Sequence, residues 1–376
     1  MNDALSARKR IMENCSCMVV KVGTRLLTDR KRIPVLIKGI AAIRDSGRNV
    51  LLVSSGAVGV GMSELGLTKR PHKLSEVQAL AAVGQCKLMA LYDEECRKHN
   101  FKSAQLLLTA NDLQDRERHL NIVNCINALW AQNILPIVNE NDSVSVDELK
   151  FGDNDNLAGL LAAMTRSELT VLLTTEDGLR EKHDGVLGKR IPLVDNITGE
   201  LKDSAHGTDD AELSIGGMIS KLRAAEIVTA AGEALWVADG RVEDILIKVL
   251  NAEDVGTLFT PKKSQMQAKK RWIKFFTKSA GKIKIDPGAV KALAERGKSL
   301  LPSGMVAIEG TFERGDTVEI CDADGKAVAR GLCNFNADEC TSLIGCQGSE
   351  IGDILERDAD EVIVHRDNLV IISSKD

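Results

Sequence analysis

Six short apolar runs, separated by five stretches of helical spacing, constrain this chain more than any other feature. Met18–Val22, Asn49–Val53, Leu106–Leu108, Leu135–Val138, Leu169–Leu173 and Leu235–Ala238 read as buried strands. Between them, Val35–Ser46, Leu74–His99, Arg118–Asn133, Leu157–Ala163 and Gly217–Ala231 carry the helical period. Strands alternating with helices from Met18 to Ala238 predict an α/β fold, a mostly parallel sheet sandwiched by helices. Such a sheet is buried on both faces and is filled by Val, Ile and Leu, which agrees with an aromatic content of only 3%. Its chemistry collects at the carboxyl ends of the strands.

The pattern changes past residue 262. Val255–Ile285 holds no acidic residue but carries Lys262, Lys263, Lys269, Lys270, Arg271, Lys274, Lys278, Lys282 and Lys284. We read 263–280 as a basic linker, solvated as most charge runs are. Beyond it, Met305–Ile308, Thr317–Ile320 and Val362–Val364 are short β-type runs, with Arg314-Gly-Asp316 and Ala323-Asp-Gly325 as turn signals. The predicted division is therefore 1–262, an α/β domain; 263–280, the linker; and 281–376, a small β-rich domain. That last stretch has 11 Lys and Arg against 18 Asp and Glu, a net charge of −7.

Net charge over the whole chain is −5, which does not favour nucleic acid or a membrane surface as the main partner. Nine cysteines without zinc-ligand spacing, beside six scattered histidines, read as reduced cytosolic thiols. The polar stretch Met1–Asn14 is not a signal peptide, and no apolar run approaches the roughly 18 residues of a membrane span. A cytoplasmic protein is expected.

Four segments at predicted strand ends look like site material. In Lys21-Val-Gly-Thr24 a lysine closes a buried strand, where it needs either a bound anion or an internal salt bridge. Ser54-Ser-Gly-Ala-Val-Gly59 is a strand-to-helix turn whose free N–H groups could cradle an anion or simply cap a helix. Asn139-Glu-Asn-Asp142 and Lys150-Phe-Gly-Asp-Asn-Asp-Asn156 gather carboxamides and carboxylates able to hold an ammonium group. A solvated acidic loop is the bland alternative, and a calcium loop lacks the required spacing. In Gly216-Gly-Met-Ile-Ser-Lys221 two glycines precede a helix with a lysine in its first turn, a geometry suited to polyphosphate. The common phosphate-loop and protein-kinase motifs are absent.

Taken in order, these segments resemble the amino-acid kinase family, closest to its members that act on free glutamate. Leu80-Ala-Ala-Val-Gly-Gln85, Asp115-Arg-Glu-Arg118, Val138–Asp142, Gly152–Asn156 and Gly256-Thr-Leu-Phe259 belong to the match, which covers roughly residues 18–260. The tail resembles a PUA domain through Lys298–Pro302, Gly310-Thr-Phe312, Arg314–Asp316, Asn334-Phe-Asn336 and Val364–Asp367.

The resemblance implies ATP-dependent phosphorylation of the γ-carboxylate of L-glutamate to γ-glutamyl phosphate, a first step of proline synthesis, with Mg²⁺ as cofactor. It assigns Lys21 and Lys221 to the transferring phosphoryl group and Asp153 to orienting the lysines. Ser55, Asp142 and Asn154 would hold glutamate, and Gly23 and Gly56 would shape the anion-binding turns. Lys21, Thr174, Thr175 and the run Ile215, Gly216, Gly217, Met218, Ile219, Ser220 and Lys221 would line the nucleotide site. It further implies a homo-oligomer and L-proline as a feedback inhibitor. Arg25, Thr175 and Ser214-Ile215 depart from the family pattern, the last two at positions that touch the nucleotide. Two other readings compete: a relative acting on aspartate, acetylglutamate or a nucleoside monophosphate, and a degenerate kinase domain serving as an RNA-binding or regulatory protein. The acidity of the tail argues against RNA.

Overall fold

Met18, Val19 and Val20 are fully buried because the strand that carries them, β1 (Cys17–Val22), runs through the middle of an eight-stranded sheet. The computed structural model describes residues 2–27, 29, 31–144, 154–183, 186–199, 201, 217–262, 268–357 and 359–372. They form two compact units, 1–265 and 266–376.

In the first unit the other strands are β2 (Asn49–Val53), β3 (Lys102–Leu108), β4 (Ile134–Glu140), β5 (Leu169–Thr174), β8 (Leu193–Val194), β9 (Ala234–Asp239) and β10 (Thr257–Phe259). Their order is β3-β4-β2-β1-β5-β9-β10-β8, and β10 against β9 is the antiparallel pair in it. A separate hairpin joins β6 (Arg180–His183) to β7 (Val186–Arg190). The chain leaves β1 toward β2 and leaves β5 toward β9, so the connections diverge between β1 and β5. A ligand crevice belongs at that switch point, outside the strands' carboxyl ends.

The helices are α1 (Asn2–Asn14), α2 (Thr24–Leu27), α3 (Arg32–Asp45), α4 (Ala57–Glu64), α5 (Leu74–Lys98), α6 (Ala110–Gln114), α7 (Arg116–Ala131), α8 (Asn154–Thr165), α9 (Met218–Ala230) and α10 (Ile245–Leu250). Leu36, Ile37, Ile40 and Ile43 put one stripe of α3 into the core, each side chain stabilising by roughly 1.5–3 kcal/mol. Among the described residues, no helix is long and apolar enough to cross a membrane.

Close backbone contact explains the small residues of Leu80–Gln85. A Cβ on Gly84 would lie 1.8 Å from the Ala57 carbonyl oxygen, and one on Gly61 would lie 2.0 Å from that of Leu80. Glycines at both places let α5 press directly onto α4, which brings Gln85 beside the loop after β2. Asp115-Arg-Glu-Arg118 is a helix start: the Asp115 carboxylate accepts the Arg118 N–H at 2.8 Å and caps α7, worth about 1 kcal/mol.

The second unit carries a five-stranded sheet in the order β12-β11-β13-β14-β15, with β11 (Gly281–Ile285), β12 (Met305–Gly310), β13 (Thr317–Cys321), β14 (Ala327–Leu332) and β15 (Leu369–Ile371). Two sequence expectations are corrected here. Val362–Val364 is not a strand, since Val364 makes only an isolated bridge to Leu300 and the edge strand is β15. Nor is 263–280 a solvated linker throughout. Residues 268–275 form α11 (Ala268–Phe275), which packs against β14 and β15 within this unit. Trp272, Ile273 and Phe276 alternate with the lysines and are buried, so an apolar face was hidden within a run read by its charge.

Candidate active site

Lys21 sits one residue from the end of β1, paired with Val53 of β2 on one side and Leu172 of β5 on the other. Lys221 lies in the first turn of α9, whose N-cap is Gly217. Asp155 is the second residue of α8, where the positive end of the helix dipole favours a carboxylate. Fold topology brings these three together from β1, α8 and α9. Lys21 Nζ is 2.6 Å from Asp155 Oδ1, and Lys221 Nζ is 3.1 Å from Asp155 Oδ2. Asp155 is 1% exposed and each lysine 7%, so the cluster is a buried Lys–Asp–Lys bridge.

Its electrostatics follow from that burial. Removal from water acts to raise the Asp155 pKa, but the ammonium groups of Lys21 and Lys221 outweigh it and hold the carboxyl below its usual range. The cluster thus gathers two lysine side chains around one carboxylate at the sheet's switch point. Ammonium groups held there suit an anion such as a phosphoryl group, which they meet with charge-assisted hydrogen bonds. The Ser220 hydroxyl, 3.1 Å from Asp155 Oδ2 and 2.8 Å from the Gly217 carbonyl oxygen, links the bridge to the turn that opens α9.

A second constellation lies on the β2 and β4 side. The Asn154 Nδ2 group is 2.9 Å from the Ser54 carbonyl oxygen, 2.7 Å from Ser55 Oγ and 3.0 Å from Asn139 Oδ1. Asn139 in turn donates from Nδ2 to Gln85 Oε1 at 2.9 Å, and its Oδ1 accepts the Glu140 backbone N–H at 2.9 Å. Gln85, Glu140 and Asp142 line a cleft of about 280 Å3 together with Ala57 and Ala81. Gly56, with φ of 97°, adopts the left-handed backbone that glycine tolerates and opens α4 there.

Lys21, Lys221, Ser55, Asn154 and Asp142 are thus placed at these two neighbouring constellations. Thr174 ends β5 and Thr175 follows it; the Thr175 carbonyl accepts from Arg241 Nη2, and Arg241 is held by Asp239 at 2.8 Å. Gly217, Met218, Ile219 and Ser220 begin α9 beside Lys221. Ile215, Gly216 and Asp153 lie outside the described residues. Among the described residues, the carboxylate that contacts both lysines is Asp155, to which sequence reasoning assigned no role. α8 begins at Asn154, three residues before the predicted start, and its first turn aims Asp155 at the lysines. Gln85 and Asn139 were given no individual role from sequence. Their signal was present in the quoted motifs, but only the fold shows that they touch.

Known proteins resemble this chain over nearly all of its length. The model of the Amino acid kinase family matches residues 16–239, and that of the PUA domain matches residues 281–355. A glutamate 5-kinase of Pelobacter propionicus is 39% identical over 97% of this chain and 100% of its own. That of Desulfotalea psychrophila is 41% identical over 98% and 100%, and that of Synechococcus elongatus 42% identical over 94% and 99%. Among solved structures, carbamate kinase from Giardia lamblia bound to AMP-PNP matches with a TM-score of 0.48 and 18% identity, covering 67% of this chain and 100% of that one.

Proposed function

The chain belongs to the amino acid kinase family, and from that membership we infer that it is a glutamate 5-kinase, transferring the γ-phosphoryl group of ATP to the γ-carboxylate of L-glutamate and so opening proline biosynthesis. The structural observation that carries the reading is the buried Lys21–Asp155–Lys221 bridge at the sheet's switch point.

A carboxylate with a pKa near about 4.3 is already an ionised nucleophile at neutral pH, so the reaction calls for no general base. Its obstacle is charge. Two like charges about 4 Å apart repel by roughly 4 kcal/mol at an effective dielectric of about 20, on the order of a thousandfold in rate. Lys21 and Lys221 oppose that repulsion as the γ-phosphoryl group moves between two anions. Asp155 holds both ammonium groups in place before substrate arrives, so they need no reorganisation during transfer. Ser55, Asn154 and Asp142 fix the glutamate, and Thr174, Thr175 and the start of α9 face the nucleotide.

Mg²⁺ enters with the nucleotide. Among the described residues there is no group of three or more His, Cys, Asp or Glu able to cage a metal. Mg²⁺ is commonly held by substrate phosphates, waters and one or two carboxylates, and it then supplies further neutralisation of the triphosphate. The deciding experiment is a coupled assay of ADP release with glutamate, aspartate and acetylglutamate offered in parallel. Turnover with glutamate is expected; turnover with either of the others alone would overturn the assignment.

A further inference from the structure

Gln85 has no part in the reaction as derived, yet the fold places its amide with care. It is 7% exposed, stands on the wall of the cleft that holds Asp142, and reaches that position through the glycine-tight contact of α5 with α4. Its orientation follows from two backbone anchors. Asn139 Oδ1 must face the Glu140 N–H, so its Nδ2 points to Gln85, whose oxygen then has to receive it. At the other end, the Ser54 carbonyl is purely an acceptor, so Asn154 turns its Nδ2 toward Ser54, Ser55 and Asn139. The Asn154 oxygen is thereby fixed on the opposite side.

Two buried atoms are left over by this arrangement: among the described residues neither Asn154 Oδ1 nor Gln85 Nε2 has a hydrogen-bond partner. A residue held only for stability would not bury an unsatisfied amide, which is unfavourable. We propose that Gln85 is a positioning residue for substrate selection: through Asn139 it locks the Asn154 carboxamide with its carbonyl oxygen presented, so that the site accepts a donor and reads the free α-ammonium group of glutamate. This rests on the glutamate reading above and adds to it the basis on which an amino acid is distinguished from a dicarboxylate of the same length.

Binding is measured with two ligands on the full-length protein: glutamate as substrate, and glutarate, which lacks the ammonium group, as a competitor. In Gln85→Met the acceptor for Asn139 is lost at nearly constant volume. The KM for glutamate is expected to rise about tenfold, with kcat and the KM for ATP changed less than about twofold. The inhibition constant of glutarate should stay unchanged, because it offers no donor to read. Gln85→Glu, which keeps an oxygen facing Asn139, should restore the parent KM. Gln85→Ala serves the same comparison if the methionine variant does not fold. An unchanged KM for glutamate in a parent enzyme that turns glutamate over would overturn the proposal and leave the activity standing. So would glutamate and glutarate weakening together, which marks a merely structural defect. A parent enzyme inert toward glutamate would instead remove the activity and the proposal with it.

Discussion

Asp155 Oδ1 lies 2.6 Å from Lys21 Nζ, the shortest link in a bridge whose far end is Lys221. This one carboxylate lets two cations occupy a buried place side by side. Replacing it with asparagine removes one charged partner from both ammonium groups, and breaking a buried pair in this way destabilises by about 3–5 kcal/mol. In Asp155→Asn, kcat should fall by about 10²–10³, since the lysines lose their fixed aim at the phosphoryl group. Unchanged kcat in folded Asp155→Asn would show that the bridge does not aim the lysines.

Lys221 makes the complementary case. It meets charge that develops only during transfer, so its loss should act on turnover more than on substrate affinity. Steady-state kinetics of Lys221→Ala should show kcat reduced by roughly 10²–10³ with the KM for glutamate changed only a few-fold. A rise in KM at constant kcat would place the lysine in ground-state binding instead.

The sheet was legible because its strands are pure apolar runs: β1, β2 and β5 fall within a residue or so of where Met18–Val22, Asn49–Val53 and Leu169–Leu173 predict them. The site was legible by segment but not by atom. Lys21 and Lys221 stand out as lysines near glycine, whereas nothing local marks Asp155, one of several polar residues in series, as the carboxylate between them. Gln85 and Asn139 are 54 positions apart in sequence, and no local pattern records their contact. α11 was missed for the opposite reason. Four basic side chains, Lys269, Lys270, Arg271 and Lys274, masked the apolar stripe that packs it.

His119 gives the protein a stability that depends on pH. Burial on α7, with the nearby Arg116 charge, lowers its pKa to about 4 against an ordinary 6.5. The unfolded chain then binds a proton that the folded one refuses, so folded stability rises with pH between about 4 and 6.5. A shift of this size corresponds to about 3 kcal/mol, present in full at neutral pH and lost as pH falls through that window. Urea unfolding of the parent at pH 7 and pH 5 should show the loss, and His119→Gln should show less of it. Identical pH dependence in the two proteins would remove His119 as its source.

The last prediction concerns the two compact units: a chain ending at Gln265 should retain glutamate-dependent turnover, and residues 266–376 should bind RNA only weakly. The described groups proposed for chemistry, from Lys21 to Lys221, all lie in the first unit, which closes its own sheet and core. The second unit has a separate core around Ile283, Val318, Ile320 and Val364. Counting residues 266–280 with 281–376 gives 16 Lys and Arg against 18 Asp and Glu, a net charge of −2 rather than −7. Backbone affinity for RNA comes largely from lysines and arginines that neutralise phosphates, and here Arg271 is only 7% exposed. Stacking surface is small, because Trp272, Phe276, Phe312 and Phe335 are at most 9% exposed and Phe275 is half-buried. Filter binding of residues 266–376 to single-stranded and duplex RNA at physiological salt should give Kd values weaker than about 1 μM, the non-specific range. Sub-micromolar binding there, or loss of turnover in a soluble chain ending at Gln265, would show that the second unit takes part in function in a way its charge and buried rings do not indicate.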